Sequence, residues 1–184
     1  MDDVRALGAD LRSLRKSRGL TLEALSTELG KSVGWLSQVE RDISTMTTGD
    51  LSALAEALDV PVSLLRGAEI ESAEEARIVR ADRRRPIGER APGLIEALLS
   101  PDLTDDFEVI HSTFLPGAHS GGEVTRETAE VGYIVSGKLD LWLGGDAFTV
   151  RAGDSFRVRG ETLKWANPYD SPAVAVWVIS PPVY

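Results

Sequence analysis

The stretch SVGWLSQVER, residues 32–41, carries side chains able to read and hold a nucleic acid on one face of a short helix. Ser32 can cap that helix, and Leu36 and Val39 recur at the spacing of a buried stripe. The stripe leaves Val33, Gly34, Ser37 and Gln38 outward near the N-terminal end. In a major groove, Val33 would meet a thymine methyl and Gln38 would pair with adenine, while Gly34 would let the backbone come close. Ser32, Trp35 and Arg41 are then placed for phosphates. A basic run upstream, Arg12, Arg15, Lys16 and Arg18, adds cations, with Arg15 and Lys16 expected at phosphates. Taken alone, that run is equally an ordinary solvated helix face. Trp35 is equally a side chain half-packed on the preceding helix.

The elements that must position these residues are helical up to about residue 66. Leu7, Leu11 and Leu14 make the first stripe, which Gly19 stops. Thr21 caps a second helix with Leu22, Leu25 and Leu29, ending at Gly30. The helix from Ser32 is the third. Thr47 or Thr48 starts a fourth with Leu51, Leu54, Ala55 and Leu58, and Pro61 suits the first turn of a fifth. Helices 21–29 and 32–41, joined at Gly30, form a helix-turn-helix, with Ser26 small at the close approach.

Residues 68–76, AEIESAEEA, read as an acidic linker. From about residue 77 the spacing shortens. FEVIHSTF, VGYIV, KLDLWL, AFTV, DSFRV, TLKWA and AVAVWVI are apolar runs divided by Gly, Pro, Asn and Asp turns. Many short strands at this density mean a β-sandwich or barrel.

Composition narrows the function. The 184-residue chain is 42% hydrophobic and 27% charged, the balance of a soluble globular protein, and has no cysteine. Disulfides, thiolate metal sites and cysteine nucleophiles are therefore excluded. Neither a membrane span nor a signal peptide is expected, and a cytoplasmic location is. The net charge of −9 argues against indiscriminate nucleic-acid binding. Residues 1–66 hold eight Lys/Arg against ten Asp/Glu, so the acid sits mainly in the second segment. No phosphate cradle, serine triad or catalytic carboxylate pair stands out, and no enzymatic activity is expected.

LRSLRKSRGLTLEALSTELGKSVGWLSQVER, followed by LSALAEALDVPVSLL, resembles the DNA-binding domain of the XRE (Cro/C1-type, lambda-repressor-like) family over about residues 7–66. Glu40 and Arg41 match the family's continuation of the reading helix, and Asp42 replaces its glycine. Leu22 stands where the family often has a glutamine that positions the duplex, so that contact is expected to be absent.

PGAHSGGEVTRETAEVGYIVSGKLDLWLGG and AGDSFRVRGETLKWANPYDSPAVAVWV resemble the cupin family over about residues 105–180. Its best features are Glu130 with Gly137, Gly153-Asp154 and Asn167-Pro168. RRRPIG and GLIEALLS, within 77–100, fit the opening strands. Enzymatic cupins hold a metal with histidines and that glutamate. The histidine positions fall around Val124 and Arg126, and on Leu163. A guanidinium stays protonated and an aliphatic chain has no lone pair, so neither ligates a cation. His111 and His119 lie outside those positions. No metal and no cofactor are expected.

Strand alternation sends Gly132 and Ile134 the same way as Glu130, and Trp165 the same way as Leu163. Arg126 either pairs with Glu130 and closes a packed interior, or the two charges stand at the apolar mouth of a pocket for a small polar or zwitterionic molecule. In the second case Arg126, Glu130, Ile134, Leu163 and Trp165 line it. Trp142 is expected outward or at a dimer interface; the direction of Trp177 stays open.

The combined expectation is two domains, an all-α lambda-repressor-like helix-turn-helix bundle (1–67) and an all-β cupin double-stranded β-helix barrel (77–184), joined by the 68–76 linker. The implied function is that of a homodimeric regulator, a repressor before an activator. It would bind double-stranded DNA at a near-palindromic operator and sense a small-molecule effector, without a membrane partner. Two alternatives are a metal-dependent cupin enzyme tethered to DNA and a ligand-independent repressor whose barrel only dimerises.

Overall fold

A computed structural model describes residues 3–4, 8–65, 77–88 and 90–183. Leu7 and the expected linker 68–76 lie outside the described residues. The chain divides into two compact units: one runs up to Arg85 and takes in Pro101–Asp105, the other holds Pro86–Ser100 and Asp106–Val183.

In the first unit the elements follow as β1 (Asp3–Val4), α1 (Gly8–Ser17), α2 (Leu22–Glu28), α3 (Val33–Val39), β2 (Met46–Thr47), α4 (Thr48–Ala57) and α5 (Val62–Leu65). The short strands β1 and β2 pair antiparallel, which the apolar spacing did not announce. The expected caps form. The Thr21 hydroxyl accepts from the Ala24 N–H and the Ser32 hydroxyl from the Trp35 N–H. Thr47 and Asp50 make a reciprocal capping box at the start of α4. Gly30 takes φ +63, so the α2–α3 turn runs through the left-handed region without a Cβ penalty. The stripes Leu11/Leu14, Leu25, Leu36/Val39 and Leu51/Leu54/Leu58 are buried together with Leu64 and Leu65. Where a glycine was displaced, Asp42 adopts φ +56, and its Oδ1 accepts the Gly8 N–H at 2.8 Å, tying the turn after α3 to the start of α1.

Asp10 of α1 is buried, its carboxylate bonded by the Arg85 guanidinium and by the Leu103 N–H at 2.8 Å. RRRPIG, expected as an opening strand, instead gives a 3-10 turn at Ala81–Arg83 and one bridge, Pro86 to Ala97. The buried Arg85 spends its donors on Asp10 and the Pro101 carbonyl, which an alternating strand would not allow.

The second unit has β3 (Leu94–Leu98), β4 (Glu108–Phe114), β5 (Ala129–Ser136), β6 (Lys138–Leu143), β7 (Asp146–Arg151), β8 (Ser155–Arg159), β9 (Leu163–Ala166) and β10 (Ala173–Ser180). They form antiparallel sheets ordered β3-β4-β10-β5-β8 and β7-β6-β9. The inner faces share a core that includes Ile87, Phe114, Ile134, Leu139, Leu141, Trp165 and Trp177. Among the described residues no helix is long and apolar enough to cross a membrane.

Candidate functional site

The first candidate surface is the outer face of α3. Val33, Gly34 and Gln38 are exposed and Ser37 is half-buried, as the stripe of Leu36 and Val39 requires. Gln38 is held from behind: the Ser44 hydroxyl donates to its Oε1 at 2.8 Å, leaving the amide N–H groups and one oxygen lone pair outward. Ser32 is exposed at the cap, and Arg41 is exposed with its Nε bonded to the Ser37 carbonyl at 3.0 Å. Trp35 is half-buried. Lys31 Nζ stands 4.9 Å from its ring centroid and 2.6 Å from Asp50 Oδ1. Lys31 is thus a cation on this face that the sequence reading missed, although its place one helical turn before Trp35 was a visible signal.

Lys16 is exposed on α1, as a phosphate contact needs. Arg15 is not. Its side chain is 9% exposed and clamps Glu40 through Nε and Nη2, with Nη1 on the Leu20 carbonyl at 2.7 Å. The hydrogen bond to Glu40 raises its pKa above the ordinary arginine value. The assignment of Arg15 to phosphates is therefore corrected: four residues after the buried Leu11, it shares the inward face of α1. Glu40 follows Leu36 by the same four and meets it there.

The second candidate is a cavity of about 100 Å3 inside the barrel. Register sets its walls. Glu96, Ser112, Ala175 and Ile134 form one row across the five-stranded sheet, and Glu108, Ile179, Glu130 and Val158 another. Between them runs the row Leu98–Ile110–Trp177–Gly132–Phe156. A Cβ on Gly132 would stand 2.3 Å from Phe156 Cζ, so the absent side chain makes room for a ring that packs edge-on against Trp177, centroids 4.9 Å apart. Phe114 and Trp165 make a second edge-on pair at 4.8 Å.

Arg126, Glu130, Leu163 and Trp165 line the cavity, as expected. Ile134 does not: it is fully buried in the core that also holds Leu139 and Leu141, outside the cavity lining. Trp177 points inward and Trp142 outward, under the Lys164 ammonium. Glu130 Oε1 receives the Thr128 hydroxyl at 2.7 Å and faces Arg126 Nη1 at 3.5 Å; the arginine side chain is 35% exposed, so the pair does not close the interior.

Sequence reading missed Arg90, Glu96 and Glu108. Glu96 lines the cavity, its Oε1 taking the Ser112 hydroxyl at 2.7 Å. Glu108 is fully buried and takes the Val183 N–H at 3.1 Å, while Arg90 Nη2 bonds the Val183 carbonyl at 3.4 Å. Burial pushes the Glu108 carboxyl above its ordinary value, against that bond and the nearby arginines. The signal was present: in EVIHSTF and LIEAL a glutamate occupies an inward position of an alternating strand.

The donor set does not fit a metal. Glu130 has Thr128 and Arg126 for neighbours, and among the described residues no three His, Asp or Glu come together as ligands. His119 is exposed, with Nδ1 accepting the Gly121 N–H, and His111 is half-buried on the outer face of β4.

A helix-turn-helix domain family matches residues 6–67 and a cupin domain family matches residues 110–179. The chain is 35% identical over 92 residues to the transcriptional regulator ClgR of Mycobacterium tuberculosis, spanning 50% of this chain and 80% of that protein. An RmlC-like cupin from Shewanella frigidimarina superposes with a TM-score of 0.50 at 20% identity, covering 58% of this chain and 91% of that one. KdgF from a Halomonas species gives 0.50 at 20%, covering 58% and 94%. These two likenesses concern the fold alone.

Proposed function

The chain belongs to the XRE-type helix-turn-helix transcriptional regulators that carry a C-terminal cupin domain, and on that premise we propose a homodimeric repressor whose barrel senses a small molecule. DNA binding and transcription regulation come with the family. The repressor sign, the dimer and the effector are the proposal.

The observation that carries it is the conjunction of a reading face whose key amide is fixed from behind with a barrel cavity of mixed charge. Two heads in a dimer would present their α3 helices about 34 Å apart to a near-palindromic operator. The outer face of the five-stranded sheet supports a barrel-to-barrel dimer. Val131, Tyr133 and Val135 of β5 are each 49% exposed, and Val178 of β10 pairs with Val131 on the same face. An apolar patch of this kind marks an association surface. A hundredfold effector switch needs about 3 kcal/mol of differential affinity, within reach of a charge contact and an aromatic contact. Occupancy of a promoter by such a dimer blocks polymerase, which sets repression as the sign. The regulator works where the DNA is, in the cytoplasm.

Selection of bound fragments from the organism's own genome is the direct test. Recovery of a palindromic site, with binding altered by metabolites from the neighbouring genes, is expected. No preference for any fragment at moderate salt, with or without metabolites, overturns the proposal. Metal analysis discriminates the tethered-enzyme reading: stoichiometric transition metal in the purified protein would favour it. Retention of Tyr133→Glu as a full dimer on light scattering would remove the sheet face from the interface.

A further inference from the structure

The barrel interior holds more carboxyl groups than guanidinium groups. Glu96 of β3, Glu108 of β4 and, across β10, Glu130 of β5 point inward, against the guanidinium groups of Arg90 and Arg126. Both arginines are partly exposed, at 27% and 35% of their side chains, whereas Glu96 and Glu130 stand at 9% and 3%.

Two of these carboxylates also have one oxygen without a donor. The Oε2 atoms of Glu96 and Glu108 are buried and receive no hydrogen bond. Arg90 Nη1 is 3.8 Å from Glu96 Oε2, beyond hydrogen-bond reach. An orphaned carboxylate oxygen in low dielectric is costly, and a ligand that supplies N–H donors and positive charge removes that cost. Glu96 lines the cavity directly, whereas Glu108 lies beyond the Trp177 row and outside the lining.

A metal ion would need the carboxylates gathered, and they are not. A quaternary ammonium would bring charge without donors. The walls include Phe114, Trp165 and Trp177, suited to a short carbon body and to a cation over an aromatic face. Cavities of about 150 Å3 take benzene, so one of about 100 Å3 limits the ligand to a few non-hydrogen atoms.

Resting on the effector reading above, we infer that the barrel takes a small primary ammonium compound, its N–H donors on Glu96 Oε2 and its carbon body against Phe114 and Trp165. The ammonium group is the shared chemistry of a simple amine and a small amino acid. In the amino acid, the carboxylate would reach Arg126 and Arg90 at the mouth.

Calorimetric titration of the full chain with n-butylamine, tetramethylammonium, butyrate and 4-aminobutyrate tests this. Butylamine should bind at least about tenfold tighter than butyrate and tetramethylammonium, and Glu96→Gln should weaken it by about tenfold or more without lowering the melting temperature of the free protein. Tighter binding of 4-aminobutyrate than of butylamine assigns the ligand to amino acids, and the reverse assigns it to simple amines. Either supports the inference. Equal affinity for the quaternary compound, or an unchanged Glu96→Gln variant, overturns it. Binding of butyrate in place of butylamine also overturns it and leaves the effector reading standing. Silence across this panel overturns the ammonium assignment, and silence across a broad metabolite library as well would remove effector sensing altogether.

Discussion

Arg15 and Lys16 are adjacent, of like charge, and opposite in consequence. Arg15 is buried on Glu40, so Glu40→Ala leaves an unpaired guanidinium inside the helical unit. A loss of about 3–5 kcal/mol is expected in urea denaturation, with the paired change Arg15→Met plus Glu40→Leu costing far less. Lys16→Ala should leave stability within about 0.5 kcal/mol and weaken DNA binding similarly on every sequence. Gln38→Ala should cost about 1–3 kcal/mol at the operator with little change on random DNA, measured by competition binding. An equal loss on both would move Gln38 to a backbone role. These residues show how far single-residue chemistry was legible. The exposed α3 set followed from the stripe, because a buried stripe dictates its opposite face. Arg15 was misassigned because a run of basic residues reads as one wet surface until each is placed on the helix.

Among the elements, α4 shows a cap with a titratable half. The hydrogen bond from Lys31 holds the Asp50 carboxyl below its ordinary value, helped by the Thr47 backbone and hydroxyl and opposed by burial. The unfolded chain therefore takes up a proton at higher pH than the folded one. The resulting stability is present above the ordinary value of 3.8 and is lost as pH falls through the lowered folded value. Asp50→Asn should cost about 0.5–2 kcal/mol near neutral pH, and the difference from wild type should shrink below pH 3.8 in helix-detected melts. In the barrel, Gly132→Ala drives a methyl into Phe156, and about 1–3 kcal/mol of destabilisation is expected by thermal unfolding. Strands were legible from alternation, since β4 and β6 fall within the runs that predicted them and β5 and β10 contain theirs. The turn at Ala81–Arg83 was not, because the partner that holds Arg85 is 75 residues away in α1.

At the scale of the whole chain, the two units carry their charge unequally. A protein of net −9 binds DNA only through a local set of cations, and among the described residues of the helical unit Arg12, Lys16, Lys31 and Arg41 are exposed. If all four meet phosphates, log K should fall against log salt with a slope of about −3 to −4 per head. A slope near zero would place recognition elsewhere. The order of the two domains was readable from the change of apolar period. The membership of Pro101–Asp105 in the helical unit was not, since only folding shows the buried Leu103 N–H on Asp10.

Trp35 is the one indole of the helical unit; the other three lie in the barrel, where Trp165 and Trp177 border the cavity. Nature has thereby installed a separate fluorophore at each task. Adding operator should dim Trp35 emission, adding effector should dim Trp165 and Trp177, and a Trp35→Phe chain would report the second event without the first.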